Sequence, residues 1–335
     1  MDLARLVPYL LHEFKSEHDL LKAIEEISLK FTRERGKIND YLEEPRLVSA
    51  YVAFFLTTNI PKFEAVLKWL PQDFINGIRS SDLIDLGAGP GTMSIAFREW
   101  AGSEYKGTIH QVETSRLMRE QGLKIWNGLF SGTQMKQSTP SPGSNSKFLL
   151  FGHSANEMGA EDTYRYIQKI NPDYILFIEP GTKGFFPEML KIRDALIEDG
   201  FHVRYPCPNN SACPMKGSEA DWCHQFVYVK LPADVERLTQ MAKKDRRLLP
   251  VTVHAYAKKK ENENPKERLV RVLPESKFSY DWEVCHENKL EHYQIMKRPY
   301  SKSEQKVLGQ ILAGEPVLTE LEKDLDKMKR VKLLK

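Results

Sequence analysis

The feature that most constrains this chain is one short phrase, Asp85-Leu86-Gly87-Ala88-Gly89-Pro90-Gly91. It closes an apolar run, Leu83 to Leu86, and precedes a helical pattern from Thr92 to Trp100. Three glycines at a strand-to-helix junction let the backbone approach a ligand where a Cβ would collide. Such a turn lies at the carboxyl end of its strand, where open α/β sheets bind nucleotides and related cofactors. The next strand, Thr108 to Glu113, ends in a carboxylate 22 residues beyond Gly91. A carboxylate there can accept both hydroxyl protons of a ribose. The G-x-G-x-x-G spacing of dinucleotide sites is absent, because Ser94 stands at the third glycine position, and this disfavours a dehydrogenase.

The rest of the chain sorts around that turn. Residues 1–78 read as a helical N-terminal region, with apolar residues at three- and four-residue steps through Leu3, Leu6, Val7, Leu10 and Phe14, and again at Leu21, Ile24 and Ile27. Ala50 to Leu56 is apolar all round and predicts a buried helix; a following helix, Phe63 to Leu70, is punctuated by Pro61 and Pro71. Residues 79–230 alternate short apolar runs with helical patterns, and 131–146 form a polar loop. Such alternation implies a mainly parallel sheet covered on both faces, hence an α/β class. Residues 231–335 open with a predicted helix, Ala233 to Arg247. Strand-like stretches follow at 251–256, 269–273, 278–285 and 292–296, reading as a small antiparallel or barrel-like appendage. Closing helices are expected at 303–312 and 318–328.

Among 335 residues, 49 Lys and Arg face 46 Asp and Glu, so the balance of +3 excludes little by itself. Its distribution is more informative. Residues 231–335 hold 23 basic and 17 acidic side chains, leaving the remainder slightly acidic. A basic final third fits a polyanionic partner such as RNA, through Lys243, Lys244, Arg246 and Arg247 or through Lys258–Lys260. Lysine-rich solvated faces give the same pattern. No apolar run reaches the 18 to 20 or so residues that span a bilayer, so no membrane association is expected. The N-terminus shows neither a secretory pattern nor an acid-poor transit pattern. A cytoplasmic monomer is the expectation.

Four cysteines are too few for a disulfide scaffold. Cys207, Cys213 and Cys223 share one loop, 206–224, rich in turn formers, and Cys285 comes from the appendage. Thiolate sets of this kind hold zinc or an iron–sulfur cluster. Tight C-x2–4-C knuckles are missing, and wide spacings are more cluster-like. Buried unligated thiols remain the alternative.

The glycine phrase with its downstream acid resembles the seven-stranded S-adenosylmethionine (SAM)-dependent methyltransferases. The resemblance implies a Rossmann-like sheet, with Gly87, Gly89 and Gly91 against the amino-acid half of SAM, Glu113 on the ribose and Asp85 supporting the turn. The segment Gly152 to Met158 lacks the acceptor motifs of exocyclic-amine and pyrimidine-C5 methyltransferases. His153 there reads equally as a general base or a satisfied cleft histidine, so the catalytic residue stays unknown.

A narrower resemblance rests on Glu179-Pro180-Gly181-Thr182, the Cys-Pro-x4-Cys-Pro loop at 207–214, Asp221-Trp222-Cys223-His224, Ala50-Tyr51, Ile60-Pro61 and Lys277-Phe278-Ser279-Tyr280. Across roughly residues 45–300 the chain is similar to the mitochondrial small-ribosomal-subunit methyltransferase-like assembly factors and their bacterial relatives. That resemblance implies a [4Fe–4S] cluster on Cys207, Cys213, Cys223 and Cys285, with His224 or His286 as substitute ligands, and a role on the small ribosomal subunit and its rRNA. It also admits the mitochondrial matrix as location in a eukaryote. Three functions stay open: an rRNA methyltransferase, a non-catalytic iron–sulfur-dependent assembly factor, and a small-molecule methyltransferase.

Overall fold

A computed structural model of the protein describes residues 1–33, 44–132, 134–140, 145–218, 221–260 and 262–334. They group into two compact units. The first comprises Met1–Leu67, Ile78–Ser154 and Tyr228–Leu249; the second comprises Lys68–Gly77, Ala155–Val227 and Pro250–Lys335. The α/β class read from the sequence is the class observed, with a β-rich C-terminal region.

In the first unit, helix Glu17–Arg33 buries Leu20, Ala23, Ile24 and Ile27 against Leu47, Ala50, Ala53 and Phe54. The proline-punctuated helix expected at 63–70 is part of a longer run. Helix Pro45–Tyr51 passes through a π-helical stretch, Val52–Leu56, into helix Thr57–Leu67 with Pro61 inside it. A helical proline withdraws one N–H and crowds the preceding turn. The wider π stretch lies just ahead of that crowding. Thr57 and Thr58 donate their hydroxyls to the carbonyls of Ala53 and Phe54 at 2.8 Å each, so those acceptors stay bonded.

Strands β1 (Asp82–Leu86), β2 (Ile109–Val112), β3 (Met135–Lys136) and β4 (Lys147–Gly152) are parallel, in the order β3-β2-β1-β4. β1 is buried at every position, as a strand covered on both faces must be. Helix Thr92–Ala101 carries the chain from β1 to β2. It is fastened by Phe97, whose ring meets Phe63, Tyr105 and Phe148 at 6.0, 5.0 and 5.8 Å between centroids. The polar stretch 131–146 carries β3; residues 133 and 141–144 of it lie outside the described residues.

In the second unit, β5 (Tyr174–Pro180) and β6 (His202–Tyr205) form one pairing group with β7 (Gln225–Tyr228) as far as Val227 and with β8 (Leu248–Ala257) from Pro250 onward. β8 lies antiparallel between β5 and β6, and β7 also pairs with it. This corrects the reading of 251–256 as part of the appendage. From Val251 to Ala257 every residue is buried, the signature of a strand inside a covered sheet. The helix before it stops at Met241 rather than Arg247, because Lys243 turns left-handed at φ 52°.

A second sheet contains β9 (Glu267–Val272), β10 (Ser279–His286), β11 (Lys289–Met296), β12 (Pro316–Val317), β13 (Thr319–Leu325) and β14 (Met328–Leu333), in the order β12-β9-β10-β11-β14-β13. Its pairs are antiparallel except β11 with β14. Leu269, Tyr280, Trp282, Val284, Tyr293, Ile295 and Val331 form its core with Leu308 of helix Lys302–Leu308. The closing helix expected at 318–328 is therefore a hairpin. Its Leu, Glu and Lys residues favour helices locally, yet Asp326, at φ 27°, turns the chain and Thr319–Leu325 pairs antiparallel with Met328–Leu333. Pairing through β14 decides the outcome.

Candidate functional site

The glycine turn folds as its sequence dictates. Gly87, Gly89 and Gly91 have φ of 70°, 55° and 84°, the left-handed region that favours glycine. Beneath them Asp85 is buried, and its Oδ2 accepts from Ser94 N at 2.9 Å and Ser94 Oγ at 2.7 Å. Burial pushes its carboxyl up to about 6, against the pull of the Ser94 hydrogen bonds. Glu113 closes the far side: Oε2 accepts from Gly89 N and Oε1 from Ser115 N, both at 2.8 Å. Oε1 also accepts from Thr114 Oγ1 at 3.4 Å. A carboxylate has about four lone-pair sites, so Oε2 keeps capacity for a hydroxyl, and Oε1 would gain it if the long Thr114 bond gave way. A Cβ at Gly87 would lie 2.4 Å from Ser154 Cβ and one at Gly91 2.4 Å from Gln111 Nε2, whereas one at Gly89 would meet nothing within 4 Å. The turn is packed on two glycines and open at the middle one.

His153, just past β4, is also left-handed, at φ 64°. Its Nε2 lies 3.1 Å from Nζ of Lys62, a side chain only 2% exposed. Desolvation of the ring, then repulsion from Lys62 and Arg246, holds the imidazole well below the usual histidine range. A lysine ammonium only donates, so it occupies the lone pair a general base would need.

In the second unit the four cysteines are brought together. Cys207, Cys213, Cys223 and Cys285 line one cavity, and none is in a disulfide. Three come from the loop between β6 and β7, of which 219–220 lie outside the described residues; Cys285 comes from β10. Trp222 donates its indole N–H to Gly181 O at 3.1 Å, and Asp221 pairs with Arg271 of β9. The motifs at 179–182 and 221–224 are thus in contact. Burial, then mutual repulsion with Cys207 and Cys213, pushes the Cys285 thiol up to about 12. Cys223 is driven well above its ordinary value for the same reasons. Among the described residues no group of three or more His, Cys, Asp or Glu side chains converges as a single metal ion requires. His224 lines the cavity, while His286 turns to Glu291 and Tyr293 at 3.3 Å each.

Sequence reasoning missed the cations here. Arg193 (1% exposed) and Arg268 (3% exposed) both line the thiol cavity. Arg268 is the in-register neighbour of Cys285, and its Nε and Nη1 donate to Pro206 O and Gly314 O at 3.1 and 3.2 Å. Its Nη2 is buried with no hydrogen-bond partner. The available signal was a charge inside an apolar stripe: Arg193 follows Met189, Leu190 and Ile192 on a helix and precedes Leu196.

The basic runs read as phosphate contacts are largely engaged. Arg246 donates to Asn59 Oδ1 at 3.2 Å, and Arg247 pairs with Asp245 at 2.9 Å and Glu236 at 3.3 Å. Lys258 bonds Asn171 and Lys260 bonds Glu263, while Lys243 and Lys259 are exposed and Lys244 is half-buried. No helix among the described residues is long and apolar enough to cross a membrane.

Among solved structures, similar folds include magnesium protoporphyrin IX methyltransferase from Synechocystis PCC 6803 with bound SAH, at 10% identity and TM-score 0.33, covering 71% of this chain and all of that one. A methyltransferase from Pyrococcus furiosus is similar at 10% identity and TM-score 0.33, over 58% of this chain and 82% of that one. A variant of MtNAS in complex with S-adenosylmethionine is similar at 14% identity and TM-score 0.34, over 72% and 77%. A search of curated proteins gives no match. A family model described as mitochondrial small ribosomal subunit Rsm22 matches residues 46–302, about three quarters of the sequence. The chain carries that family's match across its glycine turn and all four cysteines, and it belongs to the Rsm22 family.

Proposed function

We propose that this protein binds SAM at the glycine turn and methylates rRNA of the small ribosomal subunit during its assembly. The observation that carries the reading is the turn itself, open at Gly89 and flanked by a Glu113 carboxylate with spare acceptor capacity. Bound SAM supplies an electrophilic methyl group on a sulfonium. Gly87, Gly89 and Gly91 would admit its amino-acid half, Glu113 would hold the ribose, and Asp85 would brace the turn through Ser94. Transfer from a sulfonium is in-line, so orientation of the acceptor dominates the rate. The family name supports the ribosomal partner. The protein would work as a monomer in the bacterial-type cytoplasm, or in the mitochondrial matrix of a eukaryote.

The same reading places a [4Fe–4S] cluster on Cys207, Cys213, Cys223 and Cys285. Three features support the fit: an all-thiol donor set lining one cavity, two buried guanidiniums beside it, and the unpartnered Nη2 of Arg268. Four thiolates in a low-dielectric cavity need compensating charge, which the metals and the two arginines would supply together. Four thiolates suit zinc as well as a cluster; the wide sequence spacing of the cysteines is what favours the cluster. Either group would tie the 206–224 loop to β10.

One observation favours a second reading, a non-catalytic assembly factor. The segment after β4 has no acceptor-site motif, and Lys62 engages the histidine that stands there. Methyl transfer from labelled SAM to immature small subunits separates the two. Label in rRNA, lost in a Gly89/Gly91 double substitution, establishes the methyltransferase. Tight particle and SAM binding without label establishes the assembly factor.

A further inference from the structure

We propose that Lys62 and Arg246, set beside the glycine turn, form an anion subsite that takes the α-carboxylate of SAM's methionine half. The inference rests on the SAM reading above and adds the residues that orient the ligand.

The placement follows from β4. Ser154, next to His153, donates its hydroxyl to Leu86 O at 2.6 Å, and its Cβ is the atom a Cβ at Gly87 would strike. The 153–154 segment therefore lies on the first glycine of the turn. Lys62 reaches the same point from helix Thr57–Leu67, its Nζ fixed 3.1 Å from His153 Nε2. The strained left-handed backbone at His153 holds the ring there, a cost that packing elsewhere must sustain.

Arg246 arrives from the segment after helix Ala233–Met241. Its Nη2 donates to Asn59 Oδ1 at 3.2 Å, its guanidinium lies 5.8 Å from the Phe55 ring centroid, and its Nε is buried with no hydrogen-bond partner. Arg246 as a whole is half-buried, but an unmade hydrogen bond on a buried charged atom costs more than one on a neutral group. Both cations act on the same imidazole, disfavouring its proton. Two positive charges focused on one neutral ring favour an anion and repel a cation. SAM carries one carboxylate, one ammonium and one sulfonium. The subsite would draw in the carboxylate and leave the sulfonium turned away, which fixes the direction of the methyl group.

The test compares two ligands on the full-length protein by calorimetry. S-adenosylhomocysteine (SAH) has the amino-acid half, while 5′-methylthioadenosine keeps the adenosine and thioether and lacks that half. Arg246→Gln and Lys62→Gln are each expected to weaken SAH about 30-fold, the scale for truncating one partner of a buried charged hydrogen bond. Neither should change 5′-methylthioadenosine, whose retained affinity also shows that the variant is folded. Lys62→Arg, which keeps the charge, should hold SAH near wild type. Equal losses for both ligands, or no loss for either, would overturn the subsite. If SAH binding is intact and only RNA affinity falls, the cations serve an acceptor phosphate and the assignment is wrong. Failure of the wild type to bind either compound would overturn the SAM reading itself.

Discussion

Substituting alanine at the three glycines of the turn separates a folding role from a binding role. Each position has φ between 55° and 84°, so an alanine costs about 1 kcal/mol of left-handed strain at any of them. At Gly89 that is the whole cost, because the new methyl meets no protein atom within 4 Å. At Gly87 the methyl would lie 2.4 Å from Ser154 Cβ. Ser154 cannot swing aside cheaply, since its hydroxyl is bonded to Leu86 O at 2.6 Å. Overpacking there adds about 1–3 kcal/mol. Gly87→Ala should therefore lose about 2–4 kcal/mol, a large share of the 5–15 kcal/mol or so that holds a domain together. Gly89→Ala should lose about 1 kcal/mol. Urea unfolding with and without SAH reads both effects. At a ligand concentration of about 100 Kd the wild type should gain about 2.7 kcal/mol. Gly89→Ala should gain almost nothing, because its methyl fills the space the ligand needs. A Gly89→Ala protein that is stabilised by SAH like the wild type would refute the open-face argument. So would a Gly87→Ala protein no less stable than Gly89→Ala.

Three further outcomes are expected. Asp85 titrates near 6 in the fold against 3.8 for a free side chain, so its ionised form opposes folding. Stability tied to its proton is full below pH 3.8 or so and is lost as pH rises through about 6, a change of about 3 kcal/mol. Urea unfolding of wild type and Asp85→Asn should therefore show the wild type losing ground between acid and neutral pH; a constant difference would contradict the assignment. Cys285→Ser should lower iron content after anaerobic purification and expose the 206–224 loop to protease, and unchanged values of both would remove Cys285 from the ligand set. Arg204 is fully buried and bonds both oxygens of Asp73, at 2.7 and 2.8 Å. Asp73→Ala strands that charge and should cost about 3–5 kcal/mol in urea unfolding, whereas a loss below about 1 kcal/mol would mean water reaches the guanidinium.

Local chemistry was legible and long-range pairing was not. The glycine turn declared itself because left-handed backbone and close approach leave few residue choices, and three glycines stand where they are needed. β10 and β11 were readable for a similar reason, since Tyr280, Trp282 and Val284 alternate on one face. β8 was visible as a strand, yet its partners were not. Nothing in Val251–Tyr256 states that it joins β5 and β6, which precede it by some 45 to 75 residues. The β13–β14 hairpin was misread because its residues are good helix formers. Only the neighbouring edge of β11 converts them to strand.

The candidate sites divide along the same line. Cysteines are legible because few other roles suit three of them in one polar loop. The cations that accompany them are hidden, because an arginine in a sequence reads as surface until its burial is known. Arg193 offered a hint, a charge within an apolar helical stripe, but a stripe says only that some partner exists. Arg268 offered less. Its place beside Cys285 depends on the register of β9 against β10, and that register includes an irregularity between Glu283 and Val284. Without that irregularity the face reached by Arg268 would shift by one residue, since side chains alternate along a strand. Lys62 was the least visible: it falls between the run Ala50–Leu56 read as a buried helix and the helix read from Phe63, where a lysine reads as solvated. Buried cations near a glycine turn and near a thiol cluster carry the same physical message. Arg193 is offset in part by Asp194 at 2.9 Å, whereas Nη2 of Arg268 has no hydrogen-bond partner; a buried guanidinium so placed favours negative charge beside it, as the four thiols would supply on ionising.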